Sequence, residues 1–139
     1  MVASVTHALG LAGRRIIVTG ASQGIGLAVT TYLLQAGADV VGVSRSTSGE
    51  TAARQACARI ETPGNLSWVV ADSQRVDELR ACVDTTVGGG VIHGLVNNAG
   101  IAELEPVLGL TQDKWDAVMA TNVRAPAFLT QVATEDRAG

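Results

Sequence analysis

Two short motifs carry the residues of this chain whose types and spacing could do chemistry. The first, residues 19–26 with the sequence TGASQGIG, follows a short apolar run, and the second, residues 97–100 with the sequence NNAG, follows another. Glycine lets the backbone turn sharply and leaves room for a ligand beside its N–H groups. Because the N–H groups at the start of a helix favour an anion, a glycine-rich turn that opens a helix predicts a phosphate site.

The glycines of the first motif have distinct predicted roles. Gly20 permits the chain to turn out of the preceding strand, and Gly24 and Gly26 let the loop and the following helix approach the phosphates and the sheet. Their spacing, Gly-x-x-x-Gly-x-Gly, differs from the Gly-x-Gly-x-x-Gly pattern of many dinucleotide sites. An ordinary strand-to-helix turn with incidental glycines is the alternative, and the second motif at a fitting distance argues against it.

The elements that must position these motifs alternate along the chain. Apolar, β-branched runs predict buried strands over residues 16–18, 39–43, 66–71 and 91–96. Apolar residues at helical spacing predict helices over residues 24–36, about 49–60, about 76–87 and 112–131, the last with Pro126 inside. Gly37 is well placed to end the first helix, a turn is expected at Pro63-Gly64-Asn65, and the glycines at 88–90 end the third helix.

This alternation predicts an α/β fold, a Rossmann-like doubly wound parallel sheet. Parallel strands need right-handed crossovers, and short all-apolar strands fit a sheet that helices cover on both faces. We expect about four strands in the order 3-2-1-4, as in the first half of such sheets. An N-terminal tail is expected at residues 1–12 and a single domain at residues 13–139.

The two motifs together resemble those of the short-chain dehydrogenase/reductase family of NAD(P)-dependent oxidoreductases. That family uses the Thr-Gly-x-x-x-Gly-x-Gly form of the glycine turn, and its Asn-Asn-Ala-Gly string also follows an apolar strand. The resemblance covers nearly all of this chain but only the N-terminal portion of a family member. It therefore implies an incomplete, truncated NAD(P)-binding domain. The cofactor-binding residues that it implies are Gly20, Ser22, Gly24, Ile25, Gly26, Ser44, Arg45, Asp72, Asn98, Ala99 and Gly100.

The end of the second strand selects the cofactor at its adenosine end. A carboxylate there would bond the ribose hydroxyls of NAD, whereas an arginine would bond the 2′-phosphate of NADP. The chain has Ser44-Arg45-Ser46 and no acidic residue at this point. By the resemblance, Arg45 clamps the phosphate with help from the serines and from Ser22, which implies NADP(H) in preference to NAD(H). A solvated loop arginine is the alternative, and Gln23 stands where many NADP-using members have a second basic residue.

Two further contacts are implied for the cofactor. Asp72 follows the third strand, where the family has an aspartate that bonds the adenine, although it could also cap a helix that starts at Ser73. In the second motif, Asn98, Ala99 and Gly100 would line the ribose of the cofactor. A structural, asparagine-rich turn is the alternative for this motif.

The catalytic residues of the family are mostly absent. Its mechanism uses a Tyr-x-x-x-Lys pair and a serine that lie further along the chain. The single tyrosine here, Tyr32, is followed four places on by Ala36, and the single lysine is Lys114. The helical spacing of Tyr32 predicts that it faces the core. Asn122 occupies the place of the catalytic asparagine, and Pro126 would free its carbonyl from the usual helical hydrogen bond; a helix kink with an ordinary polar asparagine is the alternative.

These observations support competing hypotheses about function. The first is an NADP(H)-dependent oxidoreductase acting on a small carbonyl or alcohol substrate, with this chain an incomplete gene product that is catalytically deficient alone. The second is a non-catalytic NAD(P)-binding or interaction module. The third is a fragment that serves as a partner subunit and associates through the exposed edge of its fourth strand.

Composition bounds the remaining possibilities. Hydrophobic residues make up 47% of the 139 residues, and the formal net charge is −3. The absence of a basic patch argues against nucleic acid, and no apolar run is long enough to predict a membrane span. The start of the chain lacks the pattern of a secretory signal, so a cytoplasmic location is expected. No Cys/His spacing suggests a metal site, and Cys57 and Cys82 are expected to be reduced, packed thiols.

Overall fold

The computed structural model describes residues 9–59 and 64–135. Within these residues, parallel strands form one sheet in the order β3-β2-β1-β4, which confirms the predicted α/β fold and strand order. The strands are β1 (Arg15–Thr19), β2 (Asp39–Ser44), β3 (Leu66–Val70) and β4 (Gly94–Val96). The helices are α1 (Gly24–Gln35), α2 (Ser48–Cys57), α3 (Val76–Val87), α4 (Gln112–Met119) and α5 (Ala125–Glu135). A 3₁₀ turn spans Val107–Gly109, and a π-helical segment, Ala120–Arg124, joins α4 to α5.

Alternate residues of β1 build the two hydrophobic cores on either side of the sheet. Ile16 and Val18 pack on the face that α1 and α2 cover, together with Leu34 of α1. Ile17 points to the other face and packs with Leu79 of α3 and Leu129 of α5. Because side chains of a strand alternate between faces, an all-apolar β1 is what a sheet covered on both sides requires.

The predicted core face of α1 was correct at Val29, Leu33 and Ala36 but wrong at its two other positions. We expected Ile25 and Tyr32 to face the core as well, but Ile25 is 75% exposed and Tyr32 is 52% exposed. The buried residues of the helix are Gly26, Thr30 and Leu34. The physical reason is at Gly26, where an added Cβ would lie 1.9 Å from the Gly20 carbonyl oxygen. This contact sets the rotation of the helix, and residues 25 and 32 then point away from the sheet.

Glycine ends α1 as predicted. Gly37 has a positive φ of 83° and its N–H donates to the Leu34 carbonyl at 3.0 Å, while the Ala38 N–H donates to the Leu33 carbonyl at 3.0 Å. This pair of bonds is the Schellman motif, which satisfies two of the carbonyl groups left over at a helix end. The chain is thereby directed into β2.

The fourth strand is shorter than predicted, since β4 begins at Gly94 and not at Val91. His93 explains the difference, because its side chain takes the place of a backbone partner. The backbone N–H of Arg15 donates to His93 Nδ1 at 3.0 Å, and the His93 N–H donates to the Arg15 carbonyl at 2.8 Å. The regular ladder between β1 and β4 therefore starts at Gly94, one residue after His93.

The predicted final helix is interrupted. We expected one helix over residues 112–131, but a π-helical segment, Ala120–Arg124, separates α4 from α5. The N–H of Ala125 donates to the Ala120 carbonyl, a bond that spans five residues. Pro126 accounts for the change because it has no N–H for the carbonyl of Asn122, and π-helical turns accommodate such a loss.

The two cysteines lie on opposite faces of the sheet, and both are free. Cys57 packs against the core below α1 and α2, and Cys82 packs against the core below α3 and α5. This confirms the prediction of packed thiols. Residues 1–8 of the predicted tail, and the positions Ile60 and Pro63 of the predicted helix and turn, lie outside the described residues. No helix in the described ranges is long and apolar enough to cross a membrane.

Candidate functional site

A cleft of about 350 Å³ opens at the carboxyl ends of the strands. It is lined by the turn after β1 and by the residues that follow β2, β3 and β4. In open parallel sheets, ligands bind outside this edge, where neighbouring strands send their chains in opposite directions. Here that point lies between β1 and β4. Every predicted cofactor residue except Gly26 lines the cleft.

The glycines of the first motif divide into two kinds. Gly26 is required by the fold itself, since its backbone touches the Gly20 carbonyl. Gly24 has a positive φ of 53°, lines the cleft, and would place an added Cβ in open space. The absence of a side chain at Gly24 therefore leaves open space beside the cleft. At Gly26 it allows the start of α1 to pack closely against the turn.

The N-terminus of α1 is equipped for an anion. Gln23 precedes the helix with an extended backbone, and its side chain makes no capping hydrogen bond. The first turn contains no acidic residue. The first N–H groups of a helix lack intrahelical partners and carry the positive end of the helix dipole. With no side-chain cap and no carboxylate to compete, these groups can donate to an anion at the cleft.

Thr19 joins the two motifs. Its hydroxyl accepts hydrogen bonds from the N–H groups of Asn98 at 3.1 Å and Ala99 at 3.0 Å, and it donates to the Val96 carbonyl at 3.4 Å. Thr19 is 3% exposed. Thr19 belongs to the first motif, but no function was predicted for it. Its position as the last residue of β1, next to the end of β4, is the signal that could have identified it.

The Asn98 side chain is occupied by the protein. Its Nδ2 donates to the carbonyls of Thr19 at 3.1 Å and Gly20 at 3.2 Å. The amide thus holds the glycine turn against the second motif. Asn98 still lines the cleft with Ala99 and Gly100. Its contact with a ribose stays a prediction. The hydrogen bonds that the structure gives to its side chain are the two that hold the glycine turn.

At the end of β2, Arg45 is exposed and lines the cleft. Its neighbour Ser44 is buried, and its hydroxyl is engaged with protein partners. Ser44 Oγ donates to the Ser46 carbonyl at 2.7 Å and accepts the indole N–H of Trp68 at 3.2 Å. The Ser44 hydroxyl therefore shapes the loop that carries Arg45, and its predicted contact with a phosphate stays a prediction.

Asp72 does not cap a helix in the way that was considered. Helix α3 begins at Val76, as predicted, and not at Ser73 as the capping alternative required, and Asp72 Oδ1 accepts the N–H of Gln74 at 2.9 Å. Such a bond to the residue two places on forms a turn that an aspartate side chain stabilises. Asp72 lines the cleft, and its contact with adenine stays a prediction.

The side-chain amide of Asn122 forms two hydrogen bonds with the backbone of the residue that follows the second motif. Its Oδ1 accepts the N–H of Ile101 at 2.9 Å, and its Nδ2 donates to the Ile101 carbonyl at 2.8 Å. Thr121 and Ile101 line the cleft beside it, and neither was identified from the sequence. The two hydrogen bonds fix Ile101 in the wall of the cleft. The assignment of Asn122 as a catalytic remnant stays a prediction.

Neither Tyr32 nor Lys114 reaches the cleft. Tyr32 is exposed on α1, so the expectation of a buried ring was wrong, although the conclusion that it cannot replace a catalytic tyrosine holds. Lys114 forms an ion pair with Glu105. Among the described residues, no group of three or more His, Cys, Asp or Glu side chains could hold a metal ion.

The family model for short chain dehydrogenases matches residues 14–137. This chain belongs to the short chain dehydrogenase family. Members of that family bind NAD(P), and the cleft brings together the residues that the two motifs contribute. The match also explains why the glycine turn and the Asn-Asn-Ala-Gly string occur in one chain.

Individual short chain dehydrogenases show the same relationship. A short chain dehydrogenase/reductase of Colletotrichum higginsianum is 36% identical over 141 aligned positions, which cover 96% of this chain and 50% of that protein. L-xylulose reductase of Mesocricetus auratus is 36% identical over 124 residues, or 89% of this chain and 47% of that protein. A short chain dehydrogenase from Burkholderia cenocepacia in complex with NADP is 33% identical with a TM-score of 0.81, covering 90% of this chain and 51% of that one. The chain spans about half the length of the curated relatives it matches.

Proposed function

We propose that this chain binds NADP(H) in the cleft and supplies the dinucleotide-binding part of an oxidoreductase that acts on a small carbonyl or alcohol. The observation that carries the proposal is the pairing of two features at one cleft. Both the uncapped N-terminus of α1 and the exposed Arg45 line this cleft. A pyrophosphate and a 2′-phosphate need these two kinds of donor.

The residues of the cleft fit the parts of a dinucleotide. The N–H groups that open α1 would hold the pyrophosphate, and the open space beside Gly24 admits it. Arg45 would form charge-assisted hydrogen bonds with the 2′-phosphate, and Asp72 would accept from the adenine. Ala99 and Gly100 present small side chains and backbone to the ribose. When bound, the cofactor carries the hydride, and the protein supplies position and electrostatics.

Charge at the end of β2 supports NADP(H) in preference to NAD(H). Residues 43–46 contain one cation, Arg45, and no carboxylate to repel a 2′-phosphate. Asp72 is the acidic residue among those that line the cleft, but it follows β3, and one of its oxygens already accepts the Gln74 N–H. The Burkholderia relative in complex with NADP supports binding of the phosphorylated dinucleotide at such a cleft.

A non-catalytic NAD(P)-binding module is the second candidate. The 139 residues contain no Tyr-x-x-x-Lys pair, and Asn122 spends its amide on Ile101. Hydride transfer to a carbonyl leaves an alkoxide that a positioned acid must protonate, a contribution of about 10²–10⁴ in rate. We propose that the 139-residue chain alone has no measurable carbonyl reductase activity, and that turnover requires the Ser and Tyr-x-x-x-Lys groups of the family from further sequence.

Calorimetric titration of the purified chain with NADPH and NADH, alongside a turnover assay, tests the proposal. L-xylulose is the first carbonyl to assay, because a relative at 36% identity is named L-xylulose reductase. We expect NADPH to bind more tightly than NADH and no turnover to be detected. Equal affinities would refute the NADP preference, failure to bind either dinucleotide would refute both candidates, and turnover at ordinary enzyme rates would show that the catalytic group is misassigned.

Two further expectations stay predictions. A cytoplasmic location rests on the sequence alone. Self-association would use the edge of β4, which pairs with β1 on one side and has no second strand partner within the described residues. An exposed strand edge offers unpaired N–H and C=O groups to another chain. Sedimentation at several protein concentrations would detect such association.

A further inference from the structure

Trp68 packs against residues 44–49, the loop that carries Arg45 between β2 and α2. It belongs to the edge strand β3, and its ring fills space that two glycines leave open. An added Cβ at Gly42 would lie 2.5 Å from Trp68 Cζ3, and one at Gly49 would lie 2.8 Å from Cζ2. The indole is therefore wedged between β2 and the first turn of α2, on either side of the loop.

The indole N–H joins two points of that loop. Trp68 Nε1 donates to Ser44 Oγ at 3.2 Å and to the Ser46 carbonyl at 3.3 Å. Ser44 Oγ in turn donates to the same carbonyl at 2.7 Å. The three groups form a closed triangle of hydrogen bonds whose loop corners are the residues immediately before and after Arg45.

The packing continues to the glycine turn. An added Cβ at Gly49 would also lie 2.2 Å from Cβ of Ser22, so the start of α2 touches the turn after β1. Ser22 and Arg45 both line the cleft. Trp68 does not line the cleft itself. It packs against residues 44–49, the segment that carries Arg45 and contacts Ser22.

We propose that Trp68 is a positioning residue that holds Arg45 at the cleft and thereby sets the preference for a 2′-phosphate. The inference rests on the proposed function, because it assigns to Arg45 the phosphate contact described there. An arginine side chain loses much rotamer freedom when it binds, so a mobile backbone beneath it adds to the cost of the contact. A loop fixed on both sides of the residue reduces that cost, in the sense of preorganisation.

The test compares Trp68→Phe with Trp115→Phe. Phenylalanine keeps an aromatic ring between Gly42 and Gly49 but removes the N–H donor. Trp115 is 54% exposed on α4 and lies outside the cleft, so its replacement is the matched control. The probes are adenosine 2′,5′-bisphosphate and adenosine 5′-monophosphate, which differ only in the 2′-phosphate.

We expect Trp68→Phe to weaken binding of the 2′,5′-bisphosphate by about threefold to tenfold, the equivalent of one ordinary hydrogen bond. Binding of the monophosphate should change by less than about twofold, within the scatter expected of substitutions away from a contact. Trp115→Phe should alter neither. Equal weakening of both nucleotides in Trp68→Phe, or no change in either, would overturn the inference.

Hydrogen exchange of residues 44–49 decides the case without a ligand. Trp68→Phe should speed exchange in this loop while Trp115→Phe does not, and unchanged exchange would refute the positioning role. Ser44→Ala removes another corner of the triangle and should produce the same loosening if Trp68→Phe proves too unstable to study. If the unmodified chain binds the two nucleotides equally, the NADP preference fails. The exchange result then stands alone as the test of Trp68.

Discussion

Thr19 and Asn98 bind each other's backbone. The Thr19 hydroxyl accepts the Asn98 N–H at 3.1 Å, and the Asn98 amide donates to the Thr19 carbonyl at 3.1 Å. Because Thr19 ends β1 and Asn98 follows β4, this reciprocal pair joins the carboxyl ends of the two strands, where the cleft opens. The glycine turn and the Asn-Asn-Ala-Gly motif are therefore one structural unit, and damage to either should disturb both.

Replacement of Thr19 tests this unit. Thr19→Val removes the acceptor of two N–H groups at a buried position, and an unsatisfied buried group costs about 1–3 kcal/mol. We expect the free energy of unfolding in urea to fall by that amount. Thr19→Ser keeps the hydroxyl and should cost less. If the two variants lose the same stability, the hydroxyl does not hold the motifs together.

Removal of Arg45 tests the adenosine end of the cleft. The loss of a charge-assisted hydrogen bond costs about 1.5–3 kcal/mol, which corresponds to a roughly tenfold to hundredfold weaker affinity. Arg45→Ala should weaken NADPH binding by this factor and leave NADH little changed, as measured by calorimetry. Arg14→Ala is the control, because this exposed arginine precedes β1 at the opposite end of the sheet. Equal losses for both dinucleotides would contradict the role of Arg45.

The two kinds of glycine should respond differently to alanine. Gly26→Ala places a methyl 1.9 Å from the Gly20 carbonyl oxygen and should cost about 3 kcal/mol, the upper end of ordinary overpacking. Gly24→Ala meets no atoms but adopts a positive φ, which costs about 1–2 kcal/mol. We expect Gly24→Ala to fold and to bind NADPH weakly, because its methyl enters the cleft. Thermal unfolding and titration of both variants check this. Normal NADPH affinity in Gly24→Ala would be the contrary result.

We expect the Cys57 thiol to make stability depend on pH in the alkaline range. Burial raises the pKa of this thiol from 9.0, and the nearby Thr31 hydroxyl lowers it by a smaller amount. The folded chain therefore keeps the proton to higher pH than the unfolded chain does. Stability should be full below pH 9.0 and decline as pH rises through the raised pKa.

Urea unfolding between about pH 8 and about pH 10.5, which brackets the usual thiol pKa, measures this decline. Cys57→Ser should make it shallower, since the titrating thiol is gone. Cys82→Ser serves as the control on the opposite face of the sheet. A decline that is identical in the unmodified chain and in Cys57→Ser would assign the effect to other groups.

Much of the fold followed from local sequence. Apolar runs located the four strands of the described sheet, and the known strand order of doubly wound sheets placed β1 between β2 and β4. The exposure of Ile25 and Tyr32 in α1 could not be obtained this way, because their apolar side chains suggested the core face and a backbone contact at Gly26 turned them away from it. The start of β4 was missed for a similar reason, since a side-chain nitrogen of His93 substitutes for a ladder partner.

The cleft was predicted through its motifs, but the bonds that shape it were not. Trp68 is 24 residues from Ser44 in sequence, and Asn122 is 21 residues from Ile101. Neither pair has a spacing rule that a single sequence displays. Residue types at strand ends therefore indicate what a site can bind, whereas the side chains that hold those ends in place emerge only when the layers pack.

The central position of β1 has a consequence for synthesis of the chain. One edge of β1 meets β2 soon after both are made, but the other waits for β4, and Arg15 is 78 residues from His93 where that pairing begins. Translation at ~5–20 residues per second leaves this edge uncovered for about 4–16 s. During that interval an apolar strand with unpaired backbone groups is available to other nascent chains. The delay between the two pairings is therefore an interval in which the nascent chain is exposed to aggregation.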